Sequence, residues 1–450
     1  MAKKPTSVEL RSYQVGFGDS FLLSFIYDED DKRHVLIDFG TTELPKRGKP
    51  LKPAKPSEHM PKVAEQIRKD CGGTDGRLMA VVATHRHADH ISGFGTDSKT
   101  GKSGEIISSL KPKVVIQPWT EDPQAAKDTT HATDDSLRST KGFVAGLTAM
   151  HAIADAVVAL TAPRPPAWMG AALAKELWFL GMDNIANPSA VQNLIAMGKA
   201  PGTKAVWARH GSDAGLGQLL PGVNVHVLGP PSLEQSQKIR KQRSRDADQF
   251  WQLLAGPPAL RGQAPLAWGL GRRTLARRTA STPPEARWFR DRLERMRGEQ
   301  LLEIVRSLDD QMNNTSLILL FEVGGKKLLF PGDAQIENWS YALEDASDHE
   351  STRTLLADVD VYKVGHHGSL NATPKKLLWE GFTKRGSTAG KRLKSVLSTL
   401  PGKHGTARNG TEVPRRLLLE ALLQETDLSN THDLKFGAEP EMSNMIRLRV

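Results

Sequence analysis

The chain has one cysteine, Cys71, in 450 residues. An intrachain disulfide is therefore excluded, and any metal site has to be assembled from histidine, aspartate and glutamate. Long apolar runs are also missing. The most apolar stretch, around Ala152 to Leu160, falls far short of the roughly 20 residues that cross a bilayer. The segment MAKKPTSVELRSY has no apolar stretch of the kind that directs export, and no low-complexity tail follows the last third. These absences lead us to expect a soluble, cytoplasmic protein with no membrane association. With 38% hydrophobic residues the chain can bury a large core. Positive charge is in excess, with 61 Lys and Arg against 51 Asp and Glu, a net charge of +10. Clustered cations attract phosphate through a long-range, salt-dependent field, so the balance favours a polyanionic partner or substrate, nucleic acid among them.

Two parts of the sequence repeat one pattern. "SFLLSFIYDEDDKRHVLIDFG" reads as strand, acidic turn and strand, the second running into Asp38 and Gly40. Much later, "TSLILLFEVGGKKLLFPGD" reads as strand, Gly-Gly turn and strand, closing on Gly332 and Asp333. Each hairpin precedes a helical segment, "HMPKVAEQIRKD" or "QIENWSYALEDA", and then a short apolar strand, "LMAVVAT" or "VDVYKVG". Both of these strands run into histidines. Ligands of sheets flanked by helices collect at the carboxyl ends of strands, so a duplicated unit would bring both clusters to one seam. We divide the chain into a first core half (1–120), a helical insertion (121–203), core strands (204–231), a charged helical insertion (232–308) and a second core half (309–450).

The densest chemistry lies in "VVATHRHADHISG", residues 81–93, where His85, His87, Asp89 and His90 follow an apolar run. A lone histidine at a strand end is usually a hydrogen-bonded structural group. Four such side chains packed together repel and desolvate one another, whereas a divalent cation satisfies their lone pairs. The spacing differs from the helical H-E-x-x-H motif and suits a turn at a strand end.

These residues match the H-x-H-x-D-H motif of the metallo-β-lactamase-fold hydrolases, which the chain resembles. Asp38 in "LIDFG" is similar to that family's early aspartate, Asp333 in "LFPGD" to its metal-bridging aspartate and His366 in "VGHHGS" to its late histidine. "VGFGDSFLL", "NNTSLILLF", "PGDA" and "YKVGHHGS" resemble, in order, the soluble hydrolase domain of ComEC-type DNA-uptake proteins, over the core but not the insertions. The resemblance implies a single metallo-β-lactamase-like domain over 1–450, an α+β four-layer αββα sandwich with helical insertions. It also implies two divalent ions, Zn²⁺ or Mn²⁺. His85 and His87 would hold one, Asp89, His90 and His366 the other, and Asp333 would bridge them. Two ions about 3.5–4 Å apart activate a hydroxide and stabilise charge on attacked and leaving oxygens.

The family pattern supplies a further histidine between the turn and the bridging aspartate. None here stands in motif context: His131 lies in a polar loop, His151 in a helical segment and His210 after a strand, and each reads more simply as an unrelated histidine. A first site without it would be completed by water. Asp89, Asp333 and His367 are the candidate catalytic residues. Asp38 is read as orienting a ligand histidine, with turn capping as the alternative. His367 and Ser369 would meet a substrate phosphate or leaving oxygen, or form a turn, and Lys403 and His404 would add donors from a Gly-rich loop, or be solvated. The Arg- and aromatic-rich segments of the second insertion suit either a nucleic-acid backbone or salt-bridged helices. The leading expectation is a phosphodiesterase or nuclease acting on DNA or RNA. The alternatives are a thioester, lactone or ester hydrolase of the same fold and a non-catalytic scaffold.

Overall fold

The amino-terminal segments form three antiparallel strands, β1 (Ser7–Tyr13), β2 (Ser20–Ile26) and β3 (Lys32–Phe39). The acidic turn between β2 and β3 closes on Asp28, whose Oδ1 accepts the backbone N–H groups of Asp30 and Asp31. The computed structural model describes residues 3–47, 52–74, 77–122, 188–232, 234–236, 238, 249, 312–388, 390–405, 412–437 and 440–450. After β3 come a short ribbon, β4 (Lys46–Arg47) with β5 (Lys52–Pro53), and helix α1 (Pro56–Asp70), with proline in its first turn where no N–H is needed. Strand β6 (Leu78–Val82), the one-turn helix α2 (Ala88–Ile91), α3 (Ser103–Ser109), β7 (Val114–Pro118), α4 (Pro188–Gly198) and β8 (Lys204–Ala208) follow.

The chain then crosses to a second sheet through β9 (Val223–Gly229). There β10 (Ile318–Val323) and β11 (Lys326–Phe330) form the Gly-Gly hairpin, with Gly324 and Gly325 both at positive φ, which an L side chain rarely adopts. Helices α5 (Ile336–Ser340) and α6 (His349–Ala357) lead to β12 (Val361–Lys363) and β13 (Lys394–Leu397), and α7 (Arg416–Glu425) leads to β14 (Asp427–Asn430). Strand β15 (Ser443–Arg449) returns to the first sheet beside β1.

Two mixed sheets result, ordered β15-β1-β2-β3-β6-β7-β8 and β14-β13-β12-β11-β10-β9. In each, an antiparallel hairpin (β2/β3 or β10/β11) continues into parallel neighbours (β6 and β7, or β12 and β13). The sheets share one apolar core, where Phe21 faces Phe330 and Phe25 faces Phe321, each pair with ring centroids 6.0 Å apart. On the outer face of the first sheet, α1 buries Met60, Val63, Ala64 and Ile67, the i, i+3, i+4, i+7 stripe of an amphipathic helix, together with Ile107 and Leu194 from α3 and α4. On the outer face of the second, Trp339, Leu356, Leu418 and Leu422 from α5, α6 and α7 are buried with Leu320 and Tyr362. Deleting such a leucine side chain typically costs about 2–5 kcal/mol.

No helix among the described residues is long and apolar enough to cross a membrane. The apolar helices expected within 142–181, His131, His151 and nearly all of the 232–308 insertion lie outside the described residues.

Candidate metal centre

The parallel arrangement puts the carboxyl ends of β3 and β6, and of β11, β12 and β13, on one edge, and two glycines let those ends close on each other. Gly332, at φ +55, lies where a Cβ would come within 2.8 Å of the Thr84 side chain. A Cβ on Gly40 would fall 2.4 Å from the Asp89 carbonyl carbon. Neither approach is open to another residue without displacing backbone. Leu317 N–H donates to the Thr84 carbonyl at 2.8 Å and Asp19 N–H to the Asp89 carbonyl at 2.9 Å, so the turn after β6 is tied to both sheets. Within that turn, His85 lies in a bend and His87 is extended, while Asp89 and His90 fall on the single turn of α2.

Asp89, His90, Asp333 and His367 converge, all buried, with one potential ligand atom from each lying within 4.8 Å of all the others. His90 Nε2 is 3.1 Å from Asp333 Oδ2 and 4.0 Å from Asp89 Oδ2, and His367 Nε2 donates to Asp89 Oδ2 at 2.9 Å. The outer nitrogens are held as well. His90 Nδ1 donates to Asp38 Oδ2 at 2.8 Å, and His367 Nδ1 donates to the Ser398 carbonyl at 2.8 Å. Anchoring of this kind fixes the tautomer and aims Nε2 at a common point. Asp38 is anchored in turn, because its Oδ1 accepts the Thr84 N–H and its Oδ2 the Thr84 hydroxyl, both at 2.7 Å.

A divalent cation fits this group. Buried His90 Nε2 and Asp333 Oδ2 face each other without forming a hydrogen bond. Both His367 nitrogens face acceptors, so the ring carries two protons unless a cation takes the place of the one on Nε2. Zinc-type bonds of about 2.0–2.1 Å imply ligand–ligand edges near 3.3 Å, which the closer of these separations approach. Backbone strain gathers at the same place, with Asp38, His366 and His367 at φ +55, +45 and +52.

The structure brings His367, rather than His366, against Asp89. Strand-like alternation after β12 would send the two rings to opposite sides, but consecutive left-handed residues redirect the chain. His366 is the more exposed neighbour, its side chain 27% exposed and Nε2 3.8 Å from Asp333 Oδ2. His85 Nε2 lies 4.0 Å from that same oxygen and 2.8 Å from His87 Nδ1, so these two rings hydrogen-bond to each other. Asp333 Oδ2 is thus approached by His85, His90 and His366.

Two further groups complete the centre. Lys363, 1% exposed in the middle of a sheet, donates through Nζ to the Gly332 carbonyl at 3.0 Å, lies 3.5 Å from Asp333 Oδ1 and forms an ion pair with Asp19 Oδ2. His366 N–H also donates to Asp333 Oδ1, at 3.1 Å, so two donors hold that oxygen and leave Oδ2 toward the histidines. Neither Asp19 nor Lys363 was singled out in the sequence, although a lysine inside an apolar strand is a signal, because buried lysines are rare unless paired.

The field at the centre follows from this crowding. Burial would suppress charge on His90, but Asp333, Asp38 and Asp89 outweigh it and raise its pKa well above the ordinary value. Burial opposes ionisation of Asp333 and Asp89, yet His90, with His366 and Lys363 for Asp333 and His367 for Asp89, holds both carboxyls low. For Asp38 burial wins over His90, and its pKa is raised. Burial also opposes charge on Lys363, but Asp19 and Asp333 keep the ammonium protonated. Carboxylates that hold protons on buried imidazoles are the ones a divalent cation would bind.

The other candidates lie further out. Ser369 is buried behind His366, with its N–H donating to the His366 carbonyl at 2.9 Å. The Phe17 ring sits 4.3 Å from both His367 and His404, and burial with nearby Lys403 pushes the His404 imidazole down to about 3. Lys403 Nζ is ion-paired with Glu43 at 3.0 Å. His210 is engaged by the Leu228 carbonyl at 2.8 Å and Asp348 Oδ1 at 2.9 Å, which fixes it in the β8–β9 connection.

No protein-family model matches the chain, and no curated protein is significantly similar to it.

Proposed function

We propose that this protein is a metal-dependent hydrolase of the metallo-β-lactamase fold, acting on phosphodiesters of DNA or RNA. The observation that carries the reading is the pair of histidines, His90 and His367, whose outer nitrogens are tied to Asp38 and the Ser398 carbonyl while their inner nitrogens meet Asp333 and Asp89. Asp89, His90, Asp333 and His367 would hold the first ion. His85, His87 and His366 would hold a second more openly, sharing Asp333. Bound ions would supply Lewis acidity and lower the pKa of water, the chemistry that ester and phosphodiester hydrolysis needs. The chain's own residues do the rest. Lys363 and the His366 N–H hold Asp333 in one orientation, Asp38 and Ser398 hold the imidazoles, and the Phe17 ring packs against His367. His366, partly exposed, is placed to meet an incoming phosphate. The net charge of +10 and the likeness of "VGFGDSFLL" and "YKVGHHGS" to ComEC-type hydrolase domains support the phosphodiester over other esters.

The test is turnover of plasmid, single-stranded DNA, RNA and a chromogenic phosphodiester with Mn²⁺, Mg²⁺ or Zn²⁺, with Asp333→Asn as control. We expect metal-dependent phosphodiester cleavage that the variant lacks. Cleavage of thioesters or lactones alone would move the substrate to small molecules, and metal retention without turnover on any of these would leave a binding scaffold.

A further inference from the structure

The edge opposite the histidines carries a second concentration of charge. Strands β11, β12 and β13 run parallel, so their amino-terminal ends, Lys326, Val361 and Lys394, gather at the far end of the second sheet. The five residues of β11 separate this edge from the metal centre by about 15 Å. An open depression of about 300 Å³ lies there, and Lys326, Lys384, Lys391, Arg392 and Lys394 line it around Asp360.

The acids present are already committed. Asp360 Oδ1 is shared by Lys384 at 2.9 Å and Lys326 at 3.4 Å, its Oδ2 accepts the Lys327 N–H at 3.0 Å, and Lys394 pairs with Asp427 at 3.2 Å. Lys391 and Arg392 have no ion-pair partner among the described residues, and Arg392 Nε is buried there without a hydrogen bond. The frame beneath them is fixed. Leu393 N–H donates to the Lys384 carbonyl at 3.0 Å, Gly386 N–H to the Glu425 carbonyl at 2.8 Å, and Arg385 pairs with Glu425 at 2.6 Å. Gly386 and Gly390, both at positive φ with nothing where a Cβ would point, leave the rim open to a close backbone approach. Gathering cations in a concave pocket is unfavourable without an anion, and a planar guanidinium beside an ammonium matches phosphate oxygens.

We propose that this pocket is a phosphate-binding site, separate from the metal centre, that takes a multiply charged phosphate group through Lys391 and Arg392 with Lys384 and Lys394 flanking them. The source is either a free di- or triphosphate or consecutive phosphates of a nucleic-acid backbone. The inference does not depend on the protein being a hydrolase.

The test is binding of inorganic pyrophosphate by calorimetry and of a labelled single-stranded 20-mer by fluorescence anisotropy. Both are run on the full chain with and without EDTA, so that phosphate held through a metal at the histidines is told apart. The Lys391→Glu, Arg392→Glu double variant should weaken binding by roughly tenfold or more, and for the 20-mer it should lower the log–log salt slope by about 1.4, the value for two phosphates on a single strand. Lys391→Glu alone, at an exposed position, should weaken it several-fold without a folding cost. Lys62→Glu with Lys69→Glu, an equal charge change on exposed positions of α1, should have little effect. EDTA-resistant pyrophosphate binding lost in the variants supports a free phosphate, and EDTA-resistant binding of the 20-mer alone supports a backbone. Binding abolished by EDTA, no binding of either probe, or equal weakening by the α1 changes would overturn the site.

Discussion

Strand β3 carries a buried titratable group near each end, and the two ends behave in opposite ways. His34, near the start, is 2% exposed with its Nδ1 against Ser24 Oγ at 2.8 Å, and burial drives its pKa down to about 4. Asp38, near the other end, meets His90, which is fully buried yet keeps its proton more firmly than a histidine in water. Burial acts on both imidazoles in the same direction. The difference is the surrounding charge: three carboxylates, Asp333, Asp38 and Asp89, act on His90, whereas three cations, Arg77, Lys32 and Arg11, add to burial in lowering His34. Acids packed so closely around buried imidazoles form a group that could hold a cation, and the other end of β3 shows what burial does to an imidazole without them.

The most damaging change should be the removal of one of those acids. Asp333→Asn keeps the shape and takes away the oxygen that faces His85, His90 and His366. Metal affinity should fall by more than the roughly 100-fold ceiling seen for residues that merely support a ligand. Equilibrium dialysis with elemental analysis checks it. An unchanged affinity would mean that the acids at this end of the strand do not hold the ion.

The other end of β3 yields an effect on stability. His34 has a folded pKa near 4 against about 6.5 for an unperturbed imidazole, so between those values the unfolded state binds the extra proton. The sign is therefore destabilisation on acidification. Stability is intact above about pH 6.5 and is lost as pH falls toward 4, by at most about 3 kcal/mol for a shift of this size. Chemical denaturation across that window should show the slope, and His34→Gln should flatten it. A variant with the wild-type slope would place the acid sensitivity elsewhere.

Asp38→Asn tests the anchoring of His90 directly. The amide still faces Thr84 but no longer favours the proton on His90 Nδ1, so the ring loses its fixed tautomer. Metal affinity should drop about 10- to 100-fold with little change in the thermal midpoint. A lowered thermal midpoint with metal affinity intact would make Asp38 a turn cap only.

Much of this was legible before any coordinates. The short continuous apolar runs on either side of "DEDD" and "GG" give the β2/β3 and β10/β11 hairpins because a buried strand and a tight turn each leave a local pattern. The 85–90 turn stood out because ligand-type side chains are expensive to bury together. Other features depend on contacts that sequence distance hides. Strand β15 pairs with β1, Ser7 opposite Arg449, and Lys403 finds Glu43 across the fold. Asp19 and Lys363 look like ordinary residues at a strand start and in a strand, and only the closure of the two sheets makes them partners. The choice between His366 and His367 rests on two left-handed φ values that no local residue preference signals, since neither position is glycine.

The smallest effect should come from the pair with the least support. His85 and His87 hydrogen-bond to each other, and neither joins the four residues whose ligand atoms converge within 4.8 Å. If the converged group holds an ion by itself, His87→Ala should change the tight-binding phase by less than about tenfold, because it removes neither a ligand of that ion nor an anchor such as Asp38. It should instead reduce the metal content at saturation from two ions toward one, since the second ion is the one His87 would hold with His85 and His366. Metal titration separates these outcomes. A loss of tight binding equal to that of Asp333→Asn would show that all the histidines act as one site, and the distinction between the converged group and the His85–His87 pair would then carry no energetic meaning.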